Sequence, residues 1–427
     1  SPKVQKLSAF SYNKNKSVSY RTSSGDLVIP NYQAKGKLVD VLFERNTKLS
    51  DSNTYDITAW SLPFVYGLNG YSTENKVNIS EYIESKVDNS LDKNAIAYAG
   101  VWNHMNDARF LTGLINNKIK VRYNEKVIKN GDVHLPRGSY IIYKGDQIIK
   151  NYDEVILSLA EKNKIKLNNI YTGMSEIGPD LGSESVKLVR KREVAIISGV
   201  DNDNMVSSLN YGAIWHFFEQ ELKYPLTHLD IENFEDIELD EFDTLIIPSG
   251  YYGTLGNEKN LEKIKLWISK GGNLIAFENA IRIFTNKDGF SVKVKRNETE
   301  RSKDVKFEDL KRERIQNYLS GAIFKVNLDN THPLAYGYEN EYYSLKTSSS
   351  TYEKLKRGFN VGKIDDDENS TIGFVGDNIK DKFKNSLVFG HERIGRGNVI
   401  YFVDNILFRN FWENGKLFLV NSIFYIN

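Results

Sequence analysis

The sequence contains no cysteine. Disulfides, thiolate metal sites and a cysteine nucleophile are therefore excluded. The compartment stays open, because exported bacterial proteins also do without cysteine. An excess of either charge is missing too: 57 Lys and Arg stand against 56 Asp and Glu, a net +1. A general binder of nucleic acid or of membrane surfaces would carry a basic surplus. No apolar run approaches the roughly 20 residues that span a bilayer. Neither G-x-S-x-G nor the phosphate-binding GxxxxGK[ST] occurs. No basic-apolar-small leader opens these residues, so the expectation is that any signal peptide has been removed or never existed.

What remains is the composition of a soluble globular protein, 40% hydrophobic and 26% charged. At 427 residues two or three domains are expected. The most informative stretch is 193–280. Three short apolar runs, at 194–199, 244–250 and 273–278, alternate with helical patterns over 207–222 and 260–270. Such alternation predicts βαβ units and a mostly parallel sheet buried on both faces. Ligands of such sheets sit beyond the carboxyl ends of the strands. That makes Ser249, Gly250, Tyr251, Tyr252, Glu278 and Asn279 the candidate crevice residues, with His391 as a more distant candidate near a sheet end.

The flanks are read the same way. Residues 1–20 are rich in Lys, Ser and Asn and lack periodicity, 24–30 predict a short strand, and 37–43 a helix. The aromatic segment 64–68 is expected to be packed. A second unit opens near 94, with strands over 95–101 and 120–123, a helix over 107–116, and a second helix over 152–163. The run 138–142 echoes 25–29, which suggests a repeat whose first copy lacks its opening strand and helix. A turn-rich connector at 178–183 and the basic 187–192 place a boundary near 190. The domains are thus 1–80, a partial α/β module; 81–190, a second small α/β module with connector; and 191–427. The last carries a charged, solvated insertion around 285–320. Paired strands are expected around the turn Gly395-Arg396-Gly397, and a closing helix over 416–424.

Several local patterns invite a chemical reading. His216 and Glu219 have zinc-ligand spacing on one helix face. Yet Leu209, Ala213, Phe217 and Ile214, Phe218 recur at four-residue spacing, which marks a packed helix, and no third ligand is in sight. His391-Glu392 lacks the second histidine of HExxH, since position 395 is Gly. The loops 365–368 and 201–204 are oxygen-rich but lack the Gly and Glu of a calcium-binding EF-hand loop. No metal site is predicted. Glu278 ends the strand that opens at 273, where a nucleophile elbow would stand. It is open to three readings: a binding group, a base, or an acid favoured by a helix N-terminus.

Taken together, Leu42-Phe43-Glu44, the run from Thr54 to Pro63, Asp180-Leu181-Gly182-Ser183, and Ser208 through Gln220 resemble the region that follows the catalytic domain in large Bacteroidetes-type zinc carboxypeptidases. The stretches from Ile247 to Tyr252, from Asn330 to Ala335 and from Phe408 to Trp412 extend the likeness almost to the end. The resemblance implies an exported protein (periplasmic, outer-surface or secreted). It also implies an upstream zinc peptidase domain as partner, and a last domain of the flavodoxin-like, class I glutamine amidotransferase-like kind. No cofactor is expected in this chain, and zinc only in that missing domain. The expected role is a non-catalytic accessory region serving packing, peptide or glycan binding, or control of peptidase access. Two alternatives stand beside it: a hydrolase or amidotransferase-like enzyme pairing Glu278 with His391, and a structural spacer.

Overall fold

A computed structural model describes residues 3–44, 61–79, 87–295, 305–366 and 370–426. The sequence expectations for 45–60, 80–86, 296–304 and 367–369 lie outside them. These include most of the 54–63 run and the end of the acidic 365–368 loop.

The carboxyl-terminal domain is built on one ten-stranded sheet. Its strands are β1 (Val194–Ser198), β2 (Thr227–Asp230), β3 (Thr244–Ile247), β4 (Asn273–Phe277), β5 (Ala322–Leu328), β6 (Glu341–Lys346), β7 (Phe359–Ile364), β8 (Ser370–Ile372), β9 (Ser386–Ile394) and β10 (Gly397–Phe402). Strands β2, β1, β3, β4 and β10 lie side by side and parallel. Counting only these five, the order is 2-1-3-4-5, that of a flavodoxin-like doubly wound sheet. Beyond β10 the sheet continues by antiparallel pairing through β9, β7, β5 and β6, with β8 also on β5.

The apolar runs become strands because each is buried on both faces. Ile196, Ile246, Ile275, Phe277, Ile400 and Phe402 point into one core. Their neighbours Ala195, Ile197, Leu245, Leu274, Ala276 and Tyr401 point into the other. This is the two-residue alternation of a pleated strand between two layers. Helix α2 (Glu258–Lys270) covers the second face with Leu261, Ile264, Trp267 and Ile268. Asn257 caps its start, its side chain accepting from the Asn260 N–H at 2.8 Å, and Gly271 ends it at φ +128°. Helices α1 (Ser208–His216) and α3 (Glu413–Phe424) serve the first face. Every α3 residue from Gly415 to Phe424 is buried. The reason is that the middle module packs on its other side, through Trp102, Tyr123 and Tyr140.

That middle module has a five-stranded, wholly antiparallel sheet with helices Met105–Asn116 and Tyr152–Lys162. The predicted strands and helices are found there within a few residues. At the amino terminus the expectation fails. Residues 1–20 hold a hairpin, Lys6–Ser11 against Lys16–Arg21, paired in turn with Tyr71–Ser72. Alternating polar residues hid it, because its faces are mostly solvated. Residues 24–30 form no strand, and Leu27 is exposed, so the echo of 138–142 is not a structural repeat. Within the bounds expected for a charged, solvated insertion, the helix Leu310–Gln316 buries no residue, but Phe290 and Val292 are packed in the core.

Candidate functional site at the strand ends

The carboxyl edge of the parallel half brings Ser198-Gly199, Ser249-Gly250, Glu278 and Asp404 to one side of the sheet. The order reversal between β1 and β3 is the switch point where a doubly wound sheet leaves a crevice. Here a two-stranded ribbon, Asn204–Val206 against Gly250–Tyr252, lies at that point. The Ser249 N–H donates to Asn210 Oδ1 at 2.8 Å, and the Ser249 carbonyl accepts from the Ser207 N–H at 2.8 Å. Tyr252 is buried and donates its hydroxyl to the Pro248 carbonyl at 2.7 Å. Tyr252 is therefore a core residue and not the stacking surface expected. Tyr251, 68% exposed, alone of the two offers its ring to solvent. A Cβ on Gly250 would meet Met205 O at 2.6 Å, so the close crossing of the ribbon needs glycine.

Glu278 sits beside this ribbon, whose second strand packs on the 3₁₀ turn Glu278–Phe284. Its φ is +46°, a left-handed conformation that costs a non-glycine residue roughly 1–2 kcal/mol. The bend takes the chain out of β4 and into the 3₁₀ turn, a backbone turn at a strand end like that of a nucleophile elbow. Glu278 opens a 3₁₀ turn and not an α-helix, so the helix N-terminus reading does not hold. Its carboxyl group has no hydrogen-bond or ion-pair partner among the described residues. Burial, then the nearby Asp404 carboxylate, pushes its pKa up to about 7. Asn279 is exposed.

Asp404 follows β10 just as Glu278 follows β4. It is buried and accepts from Ser344 Oγ at 2.6 Å and from Lys346 Nζ at 2.9 and 3.1 Å. The Lys346 ammonium also lies over the Phe383 ring. This ion pair was missed at the sequence level, although Asp404 ends an apolar run as visibly as Glu278 does. Lys346 had no such signal, since its partner lies 58 positions away.

His391 is not part of this site. In the β9–β10 hairpin it faces Ile400, while the Phe277–Phe402–Phe389 row marks the level of Glu278. Two strands and three residues then separate the pair, roughly 14 Å by strand geometry. The turn 395–397 packs against Ser269 and Ile268 at the end of α2, on the amino edge of the sheet. An antiparallel strand carries its late residues away from the carboxyl edge, which the expectation overlooked. The His391 ring is committed elsewhere: Nε2 lies 2.9 Å from Asn398 Oδ1 and Nδ1 lies 2.9 Å from His332 Nε2. The Leu334 N–H donates to His332 Nδ1 at 3.1 Å. One tautomer pattern satisfies the whole chain, with both rings neutral and each donating from Nε2.

The other motifs resolve locally. His216 is exposed and its Nδ1 pairs with the Asn410 side-chain amide at 2.8 Å, while Phe217 and Phe218 are buried; Leu209, read as part of the packed face, is exposed. The Asp201 carboxylate is consumed by the Asp203 and Asn204 N–H groups and the Asn204 amide, each at 2.7 Å. Among the described residues no group of three or more His, Asp or Glu is arranged to hold a metal ion. No described helix is long and apolar enough to cross a membrane.

No protein-family model matches the sequence, and no curated protein is similar to it. Several solved structures are weakly similar to about half of the chain. A ThuA-like protein from Bacteroides uniformis matches at 11% identity and TM-score 0.33, over 54% of this chain and 89% of its own. A glutamine amidotransferase from Thermotoga maritima matches at 10% identity and TM-score 0.33, over 55% and 96%. A β-galactosidase from Bacillus circulans sp. alkalophilus matches at 7% identity and TM-score 0.32, over 54% of this chain but 30% of its own. The strand order and the two-faced burial, not these weak likenesses, define the fold as mixed α/β with a doubly wound half.

Proposed function

We propose that this chain is the non-catalytic accessory region of an exported zinc carboxypeptidase-like protein. Its last domain is a degenerate amidotransferase-like fold that serves packing, ligand binding or control of access to the upstream peptidase. The observation that carries the reading is the state of the strand ends. The switch point lies under a hydrogen-bonded ribbon, and the elbow position holds a carboxylate whose charged neighbour is a second carboxylate, Asp404, already paired with Lys346. A carboxylate is a poor nucleophile toward amides, and the sequence has no cysteine to replace it. The continuous core that joins the middle module to α3 supports a rigid body presented as one unit to its partner. Peptide or glycan remains the ligand class for the exposed Tyr251 ring.

The test is an amidase and esterase assay on the purified chain, with sequencing of the gene upstream of the Ser1 codon. No turnover, and an in-frame zinc peptidase domain, are the expected results. Turnover abolished by Glu278→Gln would overturn the non-catalytic reading, and an unrelated upstream sequence would overturn the parentage.

A second reading has one specific observation in its favour. Glu278 is strained, unpartnered and has a pKa near neutrality, as a proton-transfer residue would. A hydrolase on this plan would use Glu278 without His391, and the same assay separates the two.

A further inference from the structure

A cavity of about 390 Å³ lies beside the turn that begins at Glu278. Arg282 of that turn lines it, together with Lys295, Lys382, Tyr352 and the hydroxyl-bearing loop 349–351. Among the described lining residues three are cationic and none is a carboxylate. Mixed charge is the rule elsewhere on this nearly neutral chain, so the one-sided lining is a local feature.

The lining is held in place by its own bonds. Arg282 Nη2 donates to Ser350 Oγ at 2.9 Å, which orients the guanidinium and leaves other N–H donors of its fork available. Lys295 Nζ donates to the Lys384 carbonyl and, at 3.3 Å, to the Lys382 carbonyl. These contacts anchor its ammonium at the cavity wall, where burial lowers its pKa and the Asp366 carboxylate acts in the opposite sense. Tyr352 is fixed by backbone bridges to Val294 and Leu387 and is 1% exposed.

The Tyr352 hydroxyl is the decisive group. It is buried and makes no hydrogen bond of good distance and angle among the described residues, although the Arg282 guanidinium lies near enough to donate toward its oxygen. Its charged neighbour is the Arg282 guanidinium, which carries donors only, so the phenolic proton has no acceptor. A buried donor left unpaired is unfavourable, and such groups in folded proteins normally find a partner. An acceptor entering the cavity would complete it. An acceptor that is also an anion would meet the three cations at once.

We propose that this cavity binds a small ligand through an oxyanion group, a phosphate monoester or a sugar carboxylate. Arg282 and Lys382 meet its charge, Tyr352 donates to one oxygen, and the 349–351 hydroxyls orient the remainder. Planar, forked Arg donors suit both groups, and the volume lies in the range of small-ligand sites. The site does not depend on the parentage proposed above, because it uses none of the strand-end residues.

Isothermal titration of the full chain with inorganic phosphate, glucose 6-phosphate and glucuronate, at constant ionic strength, tests it. Saturable binding of at least one is expected, weakened about tenfold or more by Arg282→Gln and about three- to tenfold by Tyr352→Phe. Lys382→Gln, at a half-exposed position, weakens it to a lesser degree, and Lys118→Gln, remote from the cavity, leaves it unchanged. Preference for the phosphates assigns a phosphate ester, and preference for glucuronate assigns a carboxylate. Absence of saturable binding by all three below about 10 mM, a very weak affinity, overturns the proposal. So does binding that Arg282→Gln leaves unaltered, whatever the folding of the Tyr352 variant.

Discussion

The Trp102 indole Nε1 donates to Asn421 Oδ1 at 2.9 Å, across 319 positions of sequence and with both side chains buried. The Asn421 amide nitrogen in turn donates to the Leu334 and Tyr336 carbonyls at 3.0 and 2.8 Å. One side chain of α3 thus ties the middle module to the loop before β6. Nearby, Tyr123 and Tyr425 stack at 4.4 Å, and the Tyr425 hydroxyl donates to the Gly138 carbonyl at 3.0 Å. The two modules share one core, and their unfolding is expected to be coupled.

Replacing Asn421 tests that coupling. Asn421→Ala leaves the Trp102 N–H and two carbonyls unpaired in the interior, at a cost of about 3 kcal/mol. Trp102→Phe is expected to cost about 1–2 kcal/mol, and the two effects to add to less than their sum in a double-mutant cycle. Chemical denaturation followed by tryptophan fluorescence measures both. Two separate transitions in the unaltered protein would show that the modules fold independently.

The Lys346–Asp404 pair lies under the strand ends with 1% and 5% of its side chains exposed. Breaking such a pair strands a charge in the core, so Lys346→Met is expected to destabilise by about 3–5 kcal/mol. Lys346→Met combined with Asp404→Leu removes both charges and is expected to recover much of that loss. If the single and double variants are equally destabilised in urea denaturation, packing and not charge is what Lys346 supplies.

How far this arrangement was legible in the sequence depended on the range of the interaction. Val194–Ser198, Thr244–Ile247 and Asn273–Phe277 announce themselves because burial on both faces demands uninterrupted apolar runs. Glu278 could be placed at a strand end for the same reason. Its left-handed backbone had no signature, since that conformation is held by the surrounding packing. The ribbon over the switch point also escaped. Asn204–Val206 and Gly250–Tyr252 are three residues each and pair far apart in the chain (Met205 with Tyr251, for example), a distance at which local pattern says nothing. His391 was misjudged because its strand reads the same in either direction; only the pairing with β10 fixes which edge it faces.

The histidine chain makes stability depend on pH. Burial, then the neighbouring His391, holds the His332 pKa down at about 3, and burial lowers that of His391 as well. Below the ordinary value near 6.5 the unfolded chain takes up protons that the folded one refuses. Stability is therefore full above pH 6.5 and falls as the solution is acidified, by up to about 1.4 kcal/mol per pH unit for each ring. Between pH 7 and 5 the expected loss for His332 alone is about 2 kcal/mol. His332→Gln is expected to flatten the slope of denaturation free energy over that interval, and an identical slope in wild type and variant would refute the assignment.

Glu278 titrates with the opposite sign. Its folded pKa, near 7, lies above the ordinary 4.5, so the folded state holds a proton that the unfolded state releases between those values. The resulting contribution is complete below pH 4.5 and disappears as the pH rises through 7. The full shift would correspond to about 3 kcal/mol, but the side chain is partly exposed, and solvent screening reduces this to about 1–2 kcal/mol. Glu278→Gln mimics the protonated group without a titration. It is expected to match the wild type at pH 5 and exceed it by about 1–2 kcal/mol at pH 8. Glu278→Gly adds a second, pH-independent effect, because glycine adopts φ +46° without the left-handed penalty. Thermal unfolding of the three proteins at both pH values separates charge from backbone strain. A Gln variant no more stable than wild type at pH 8 would mean that the carboxylate is fully solvated there. The strand end would then be an open surface and not a desolvated site.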